Sequence, residues 1–289
     1  MARGSCLCGK VQYEISGTPK WMANCHCSMC RKHHGSLFQT VIGVDPGNFR
    51  WLSGQDAIVH YRSSVAFARP FCRHCGSAVP DLANGTVTCP AGTFVGDVGA
   101  KPQAHIFVKS KSPMETITDS LPQFDEYPPG YGTAVETKGE AAPPDDGTIR
   151  GSCLCGDVAF EIDSRVKHMI NCHCSRCRRS RGAAHGTNVF AKTDMIRWTR
   201  GREQVVDYKV PDAKMFATAF CRRCGSLLPA PFERTGMSLV PVGVLDSVLH
   251  LRPCVHIHAA SKAPWFEITD ELPQFDEMPP KERLGEFFW

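Results

Sequence analysis

The sequence predicts an all-β protein made of two tandem domains. Three observations predict it: short alternating apolar runs, an internal duplication, and 16 cysteines in ordered motifs. Apolar and polar residues alternate over residues 11–15 and again over 158–162. Short alternating runs separated by Gly and Pro are typical of short strands. No long helical stripe is present, so metal sites would replace part of a thin hydrophobic core.

The internal duplication covers a whole domain. The motif Gly-Ser-Cys-Leu-Cys-Gly at residues 4–9 recurs at 151–156, and Asn-Cys-His-Cys at 24–27 recurs at 171–174. A Phe-Cys-x-x-Cys-Gly-Ser motif follows in each copy, and Leu-Pro-Gln-Phe-Asp-Glu at 121–126 recurs at 272–277. We therefore predict domains over residues 1–127 and 149–289, joined by a Gly- and Pro-rich linker over 128–148.

Composition argues against two classes of partner. No apolar run approaches the ~20 residues that a membrane-spanning helix needs, and residues 1–6 contain no apolar signal segment. The sequence therefore predicts a cytoplasmic protein without a membrane partner. A net charge of +4 is too small to favour a nucleic-acid partner.

The number of cysteines points to metal binding. Disulfide scaffolds are usually much shorter, secreted chains, whereas clustered cysteines in a reducing compartment more often bind metal. Each repeat contains a C-x-C, a C-x-C-x2-C and a C-x2-C motif, which makes seven cysteines. Structural zinc sites use four protein ligands, and catalytic sites use three and leave one position free. The seven cysteines of each repeat can thus form one group of four and one group of three. We therefore predict two zinc ions per domain and four per chain.

The C-x-C and C-x2-C motifs are predicted to form the four-cysteine groups. A C-x2-C turn followed by Gly presents two sulfurs to one metal, and Gly tolerates the tight backbone. Two such pairs close one tetrahedral site. The first four-cysteine group is Cys6, Cys8, Cys72 and Cys75, and the second is Cys153, Cys155, Cys221 and Cys224.

The compact C-x-C-x2-C motifs are predicted to form the three-cysteine groups. A zinc ion with three protein ligands can bind an external thiol, lower its pKa and hold it as a thiolate, or polarise a carbonyl. These cysteines are therefore the predicted catalytic residues. The first three-cysteine group is Cys25, Cys27 and Cys30, and the second is Cys172, Cys174 and Cys177.

Alternatives remain for these groups. A buried Asp or His could complete the three-cysteine site as a purely structural one, or bridging thiolates could hold a two-zinc cluster. The histidines available are His26, His33, His34, His173 and His185. We expect His26 and His173 to point away from the metal, and Cys89 and Cys254 to be ordinary thiols.

Basic residues follow the three-cysteine motifs. They could attract an anionic substrate or form a solvated surface turn. Those predicted to contact the substrate in this way are Arg31, Lys32, Arg178 and Arg179.

Taken in order, the three cysteine motifs and the terminal Asp-x-Leu-Pro-Gln-Phe resemble the glutathione-dependent formaldehyde-activating enzyme (GFA) family, also called the CENP-V/GFA domain. The resemblance covers both repeats and implies several short coiled antiparallel sheets. It also implies one structural zinc on the outer cysteines and a labile catalytic zinc on C-x-C-x2-C. The implied chemistry is that of a carbon–sulfur lyase, which joins glutathione and formaldehyde reversibly to S-(hydroxymethyl)glutathione.

The two copies differ at one position of the family's pattern. The family often places an Arg shortly before Phe-Cys, and Arg69 fits this pattern, whereas the second repeat has Thr218. The resemblance implies that Arg69 contacts the thiol substrate, and it leaves the second copy without that contact.

Three hypotheses follow for function. The first is a zinc-dependent carbon–sulfur lyase that acts on a thiol–aldehyde adduct, with a small thiol such as glutathione as substrate. The second is a non-catalytic binding module stabilised by zinc, and the third is a zinc- or redox-responsive protein. A further hypothesis is that the two repeats pack as an intramolecular pseudo-dimer.

Overall fold

The first repeat consists of short strands and one short helix. The computed structural model describes residues 1–65, 67–83, 85–130, 146–163, 165–211, 213, 216–232 and 235–288. The helix of the first repeat is α1 (Ser28–His34). Its strands are β1 (Ala2–Ser5), β2 (Gln12–Ile15), β3 (Trp21–Cys25), β4 (Gln39–Val44), β5 (Phe49–Ser53), β6 (Ile58–Arg62), β7 (Ala68–Cys72), β8 (Asp81–Ala83), β9 (Thr86–Pro90), β10 (Phe94–Val95) and β11 (His105–Ile106).

The second repeat follows the same order. Its helix is α2 (Ser175–Arg181), with seven residues like α1. Its strands are β12 (Ile149–Ser152), β13 (Ala159–Ile162), β14 (Met169–Cys172), β15 (Gly186–Lys192), β16 (Ile196–Arg200), β17 (Val205–Lys209), β18 (Ala217–Cys221), β19 (Leu227–Leu228), β20 (Ala230–Phe232), β21 (Met237–Pro241) and β22 (Pro253–Ile257).

Single 3-10 turns join several of these strands. Most lie directly before or after a strand, and the last one lies near the C-terminus. The turns are Pro46–Asn48, Gln55–Ala57, Ala91–Thr93, Val108–Ser110, Thr193–Met195, Arg202–Gln204, Val242–Val244, Ala259–Ser261 and Lys281–Glu286.

Small sheets make up each repeat, which confirms the predicted fold class. The first repeat has sheets of order β10-β1-β2-β5, β11-β3-β4-β9-β8 and β6-β7. The second has β12-β13-β16, β20-β21-β15-β14-β22 and β17-β18-β19. The pairing is antiparallel except at β3–β11 and β14–β22, which are parallel. A parallel pair needs a long crossover, and β11 follows β3 only after most of the repeat has intervened.

The two repeats share one hydrophobic core. The largest buried cluster contains Tyr13 and Ile42 of the first repeat together with Phe160 and Val189 of the second. Aromatic rings also cross between the repeats in matched pairs. A methyl group at Gly76 would overlap Phe220, and one at the equivalent Gly225 would overlap Phe71. Contacts that recur with the partners exchanged are those of a two-fold arrangement.

Polar contacts repeat the same two-fold pattern. The Lys32 ammonium donates to Ser152 Oγ at 2.9 Å, and the Arg179 guanidinium donates to Ser5 Oγ at 3.2 Å. Lys32 also pairs with Asp246. The helices α1 and α2 therefore lie at the interface between the repeats.

The predicted domain boundaries stay a prediction. Most of the predicted linker, residues 131–145, lies outside the described residues. No described helix is both long and apolar enough to cross a membrane.

Close packing between the repeats predicts the effect of one added methyl group. Gly92 lies against the backbone of Ala183 in the other repeat, and a Cβ at Gly92 would overlap the Ala183 amide and carbonyl. Because a backbone cannot rotate away as a side chain can, we expect Gly92→Ala to lower the free energy of unfolding by about 1–3 kcal/mol. The control is Gly47→Ala, because nothing lies within 4 Å of that added Cβ; its effect should stay within about 0.5 kcal/mol. Equal urea denaturation midpoints for the two variants would contradict this packing.

A buried histidine predicts pH-dependent stability. Burial, followed by the charges of His256 and Arg181, lowers the pKa of His185 to about 3. The unfolded chain takes up this proton near pH 6.5, so stability is full above that pH and falls by about 1.4 kcal/mol per pH unit below it. The first repeat has Phe38 at this position. We expect His185→Phe to remove about 2 kcal/mol of the stability loss between pH 6.5 and 5.

Urea unfolding at several pH values measures this effect. The control is His250→Phe, which removes an imidazole that is exposed and lies outside the cysteine motifs. If the free energy of unfolding falls equally steeply with decreasing pH in His185→Phe and in the wild type, protonation of His185 does not cause the predicted loss of stability.

Candidate metal centres

The four-cysteine groups bring together sulfurs from distant parts of each repeat. Cys8 Sγ lies 3.4 Å from Cys6 Sγ and 3.8 Å from Cys72 Sγ. In the second repeat Cys155 Sγ lies 3.3 Å from Cys153 Sγ and 3.7 Å from Cys221 Sγ. All four sulfurs in each group lie within 4.8 Å of one another. Zinc–sulfur bonds of about 2.3 Å give tetrahedral sulfur–sulfur edges of about 3.8 Å, so both groups fit a metal ion.

The residues that flank these cysteines fix the turns. Gly9 and Gly76 have φ of 74° and 73°, a conformation that favours glycine. The serine after Cys-Gly joins the two turns, because the Leu7 amide donates to Ser77 Oγ at 3.0 Å. The Leu154 amide donates to Ser226 Oγ at the same distance in the second repeat.

The three-cysteine groups lie where a strand ends and a short helix begins. Cys25 ends β3, Cys27 is the N-cap of α1, and Cys30 lies in its first turn. Cys27 Sγ accepts from the Cys30 amide at 3.3 Å, and Cys174 Sγ accepts from the Cys177 amide at 3.4 Å. This cap brings the second and third sulfurs onto one side of the turn, and each set of three sulfurs lies within 4.8 Å.

No His, Asp or Glu within the described ranges joins either three-cysteine group. The candidate histidines have other partners. His33 Nδ1 donates to the Cys224 carbonyl at 3.1 Å, and His34 donates to the Arg181 carbonyl. His26, as predicted, faces away from the sulfurs and bonds to His105 and Glu115. The donor set at each of these groups is therefore three thiols.

A cavity of about 160 Å³ adjoins the first three-cysteine group. The side chains that line this cavity are largely apolar, and Arg69 is the one arginine or lysine among them. Arg69 NH1 lies 3.5 Å from Cys30 Sγ, and Nε donates to Ser63 Oγ at 3.1 Å. The remaining walls include Trp21, Met29, Val41, Phe67, Pro70, Ile106, Phe107 and Tyr127.

The charges of Arg69 and Cys30 at this cavity stabilise each other. Burial opposes the charge of Arg69, but the Cys30 and Cys27 sulfurs outweigh it and hold the pKa of Arg69 above its ordinary value. The neighbouring Cys25 and Cys27 thiols, followed by Arg69, lower the pKa of the Cys30 thiol. Burial and the nearby sulfurs raise the pKa of Tyr127 to about 12. Tyr127 thus stays neutral, while Cys30 and Arg69 carry opposite charges.

The other predicted basic residues lie elsewhere. Lys32 and Arg179 make the contacts between repeats described above. Arg31 Nε lies 3.4 Å from the His26 carbonyl, and Arg178 Nε lies 3.2 Å from the His173 carbonyl, so both support the cysteine loop. A role for these four residues in binding substrate stays a prediction.

A histidine–carboxylate chain behind the cysteine loop was missed by the sequence reasoning. His26 Nε2 bonds to His105 Nδ1 at 2.8 Å, and His105 Nε2 donates to Asp119 at 3.0 Å. The second repeat has the same chain through His173, His256 and Asp270. Alignment of the two repeats outside the cysteine motifs would have found it, because both the His and the Asp recur.

Cys89 and Cys254 lie outside all four cysteine groups. Cys89 is buried, and Cys254 is half-buried with its thiol donating to the Met169 carbonyl at 3.3 Å. The four groups remain as the candidate metal centres, two in each repeat. Thiolate donors in sets of four and three are those that zinc prefers.

Known proteins resemble parts of this chain. A protein from Halomonas elongata named "Putative glutathione-dependent formaldehyde-activating enzyme" is 30% identical over 127 residues, covering 42% of this chain and 80% of its own length. A crystal structure of a Rhodobacter sphaeroides protein is similar to this chain, with 24% identity and a TM-score of 0.30, covering 36% of this chain and 97% of its own.

The family match spans both repeats. The family described as "Glutathione-dependent formaldehyde-activating enzyme" matches residues 1–110 and 148–261. These two segments contain all four candidate metal centres. The chain therefore belongs to the glutathione-dependent formaldehyde-activating enzyme family.

Proposed function

We propose that this chain is a zinc-dependent carbon–sulfur lyase that acts on a thiol–aldehyde adduct, with glutathione and formaldehyde as the substrates to test first. The observation that carries the proposal is the first three-cysteine group at the wall of an apolar cavity beside Arg69. Family membership supports chemistry that involves glutathione and formaldehyde. In this proposal all four cysteine groups hold zinc.

In this proposal the four-cysteine groups and the three-cysteine groups have different functions. Four thiolates fill the coordination of zinc and serve folding, whereas three leave one position for an exogenous ligand. Bound zinc supplies Lewis acidity, which lowers the pKa of a thiol and polarises a carbonyl. Cys25, Cys27 and Cys30 would hold it in the first repeat, and Cys172, Cys174 and Cys177 in the second.

The reaction moves one proton and forms one bond. The thiol sulfur bonds to the aldehyde carbon, the carbon–oxygen double bond becomes single, and the oxygen takes up the proton that the thiol loses. No oxidant or reductant is needed. Arg69 lies close to the sulfurs, where its charge would stabilise both the entering thiolate and the alkoxide that develops. The apolar walls exclude water, which strengthens this attraction.

Metal content tests the four sites. We expect four zinc ions per chain by elemental analysis after dialysis against zinc. The double variant Cys27→Ser with Cys174→Ser should bind two, because each three-cysteine group loses a ligand while the four-cysteine groups keep theirs. Cys254→Ser is the control and should still bind four. A zinc-saturated wild type that holds only two ions would contradict the assignment of the three-cysteine groups.

Thiol binding and turnover test the proposed chemistry. In the cobalt-substituted protein, glutathione should shift the sulfur-to-metal absorption bands. The zinc protein should also accelerate exchange between formaldehyde and S-(hydroxymethyl)glutathione, measured by NMR magnetisation transfer. The Cys27→Ser and Cys174→Ser double variant should lose both responses, whereas Cys254→Ser should keep them. An unchanged cobalt spectrum together with spontaneous exchange rates would rule out this function and favour a purely structural role for the metals.

A further inference from the structure

A second cavity lies between the two repeats. Its volume is about 210 Å³, and both repeats contribute equivalent residues to it. The equivalent pairs are Asn24 and Asn171, His105 and His256, Thr118 and Thr269, and Asp119 and Asp270. No cysteine is among its described lining residues, so it is separate from the four candidate metal centres. Pockets for drug-sized ligands have about 300–1,000 Å³, so this cavity suits a smaller molecule.

Negative charge predominates among the residues that line this cavity. Its carboxylates belong to Glu115, Asp119, Glu267 and Asp270. Arg252 is the one arginine or lysine in the described lining. Glu115 accepts a hydrogen bond from His26, and Glu267 pairs with Lys101. The remaining two carboxylates, one from each repeat, are therefore available to a positively charged ligand.

Neighbouring imidazoles hold these two carboxylates in place. His105 Nε2 donates to Asp119 and His256 Nε2 donates to Asp270, both at 3.0 Å. Among the described residues, neither carboxylate forms an ion pair with Arg or Lys, and each side chain is only about a quarter exposed, at 28% and 27%. A partly buried carboxylate attracts a cation more strongly than one in bulk water, because the local dielectric constant is lower.

The two carboxylates lie next to a contact that joins the repeats. Thr118 Oγ1 and Thr269 Oγ1 share a hydrogen bond across this contact, and Asp119 and Asp270 follow these threonines directly in sequence. The apolar lining residues include Leu37, Phe38, Ile117, Phe266, Ile268 and Leu272. A short ligand with a positive group at each end and an apolar middle complements this arrangement.

His185 contributes a buried hydrogen-bond acceptor to the same cavity. Only 5% of its surface is exposed, and it lines the cavity. Thr187 Oγ1 donates its proton to Asn171 Oδ1 at 2.8 Å, so the 3.3 Å bond between Thr187 Oγ1 and His185 Nδ1 uses the imidazole proton. Nε2 of the neutral ring is then unprotonated, and it has no hydrogen-bond partner among the described residues. A ligand that carries N–H groups would supply this partner.

We propose that the cavity between the repeats binds a short aliphatic diamine, with one ammonium group at Asp119 and the other at Asp270. His185 Nε2 accepts a further hydrogen bond, and the apolar lining contacts the methylene chain. Hydrogen bonds between charged groups are about twice as strong as neutral ones, so the two carboxylates supply most of the affinity. A metal ion fits less well, because no three donors of His, Cys, Asp or Glu converge here among the described residues. The inference is independent of the lyase proposal, since no cysteine takes part.

Calorimetric titration of the zinc-loaded full chain with 1,4-diaminobutane tests the proposal. We expect saturable binding of one molecule per chain. The comparison ligand is 1-aminobutane, which has the same carbon chain but a single ammonium group, and it should bind about tenfold or more weakly because it reaches only one carboxylate. It also controls for coordination of an amine to zinc. Equal affinities for the two amines, or no saturable binding of the diamine, would overturn the proposal.

Charge-removing variants locate the site. Asp119→Asn with Asp270→Asn should weaken diamine binding about tenfold or more, because each amide keeps a hydrogen-bond acceptor but loses the charge. The matched control is Asp125→Asn with Asp276→Asn, which removes one exposed carboxylate per repeat outside the cavity and should leave the affinity unchanged. His185→Phe removes one acceptor and should weaken binding about threefold. An equal loss in the cavity variant and in the matched control would contradict the assignment.

A spectroscopic measurement tests the site on the wild type, whether or not the aspartate variants fold. In protein labelled with nitrogen-15 histidine, the diamine should move the His185 Nε2 resonance upfield, the direction expected when an unprotonated ring nitrogen accepts a hydrogen bond. The resonance is identified by its absence in His185→Phe. Diamine binding that leaves this resonance unchanged would place the ligand elsewhere and overturn the proposal.

Discussion

The convergence of sulfurs from segments far apart in sequence is the constraint on which this structure depends. Cys8 and Cys72 are 64 residues apart and their sulfurs lie 3.8 Å from each other. Short strands of four or five residues bury little apolar surface, so small sheets need such cross-links to hold their order. Zinc bound by these sulfurs would connect the first strand of each repeat to its middle. The remaining chain is then short enough to fold as small sheets and tight turns.

The repeats are joined through contacts at their cysteine groups as well as through apolar packing. His33, in the helix that carries Cys30, donates to the carbonyl of Cys224 in the other repeat. Leu154, which lies between two cysteines of the second four-cysteine group, packs against the cluster that contains the first three-cysteine group. The second four-cysteine group and the first three-cysteine group therefore each have a contact from the opposite repeat.

The cysteine motifs predicted the duplication, the fold class and the grouping of sulfurs, because spacing alone limits which thiols can share one metal. Other features depended on tertiary contacts. The parallel pair β3–β11 and the chain from His26 to Asp119 arise from segments about eighty or more residues apart, where no local pattern applies. Lys32 and Arg179 stand in a basic run typical of a solvated surface, but the opposing repeat supplies Ser152 and Ser5 as partners.

The two repeats keep the same arrangement of cysteine sulfurs but differ in the side chains around the cysteine loop. The buried Glu115 carboxylate accepts from His26 at 2.9 Å, whereas Phe266 takes its place and leaves His173 Nδ1 without a hydrogen-bond partner among the described residues. An unpaired buried nitrogen costs about 1–3 kcal/mol, and Phe266 offsets part of this by packing 5.7 Å from the His173 ring. The cysteine-bearing turn thus persists while its polar surroundings change. The cysteine motif therefore does not determine which side chains surround the loop that carries it.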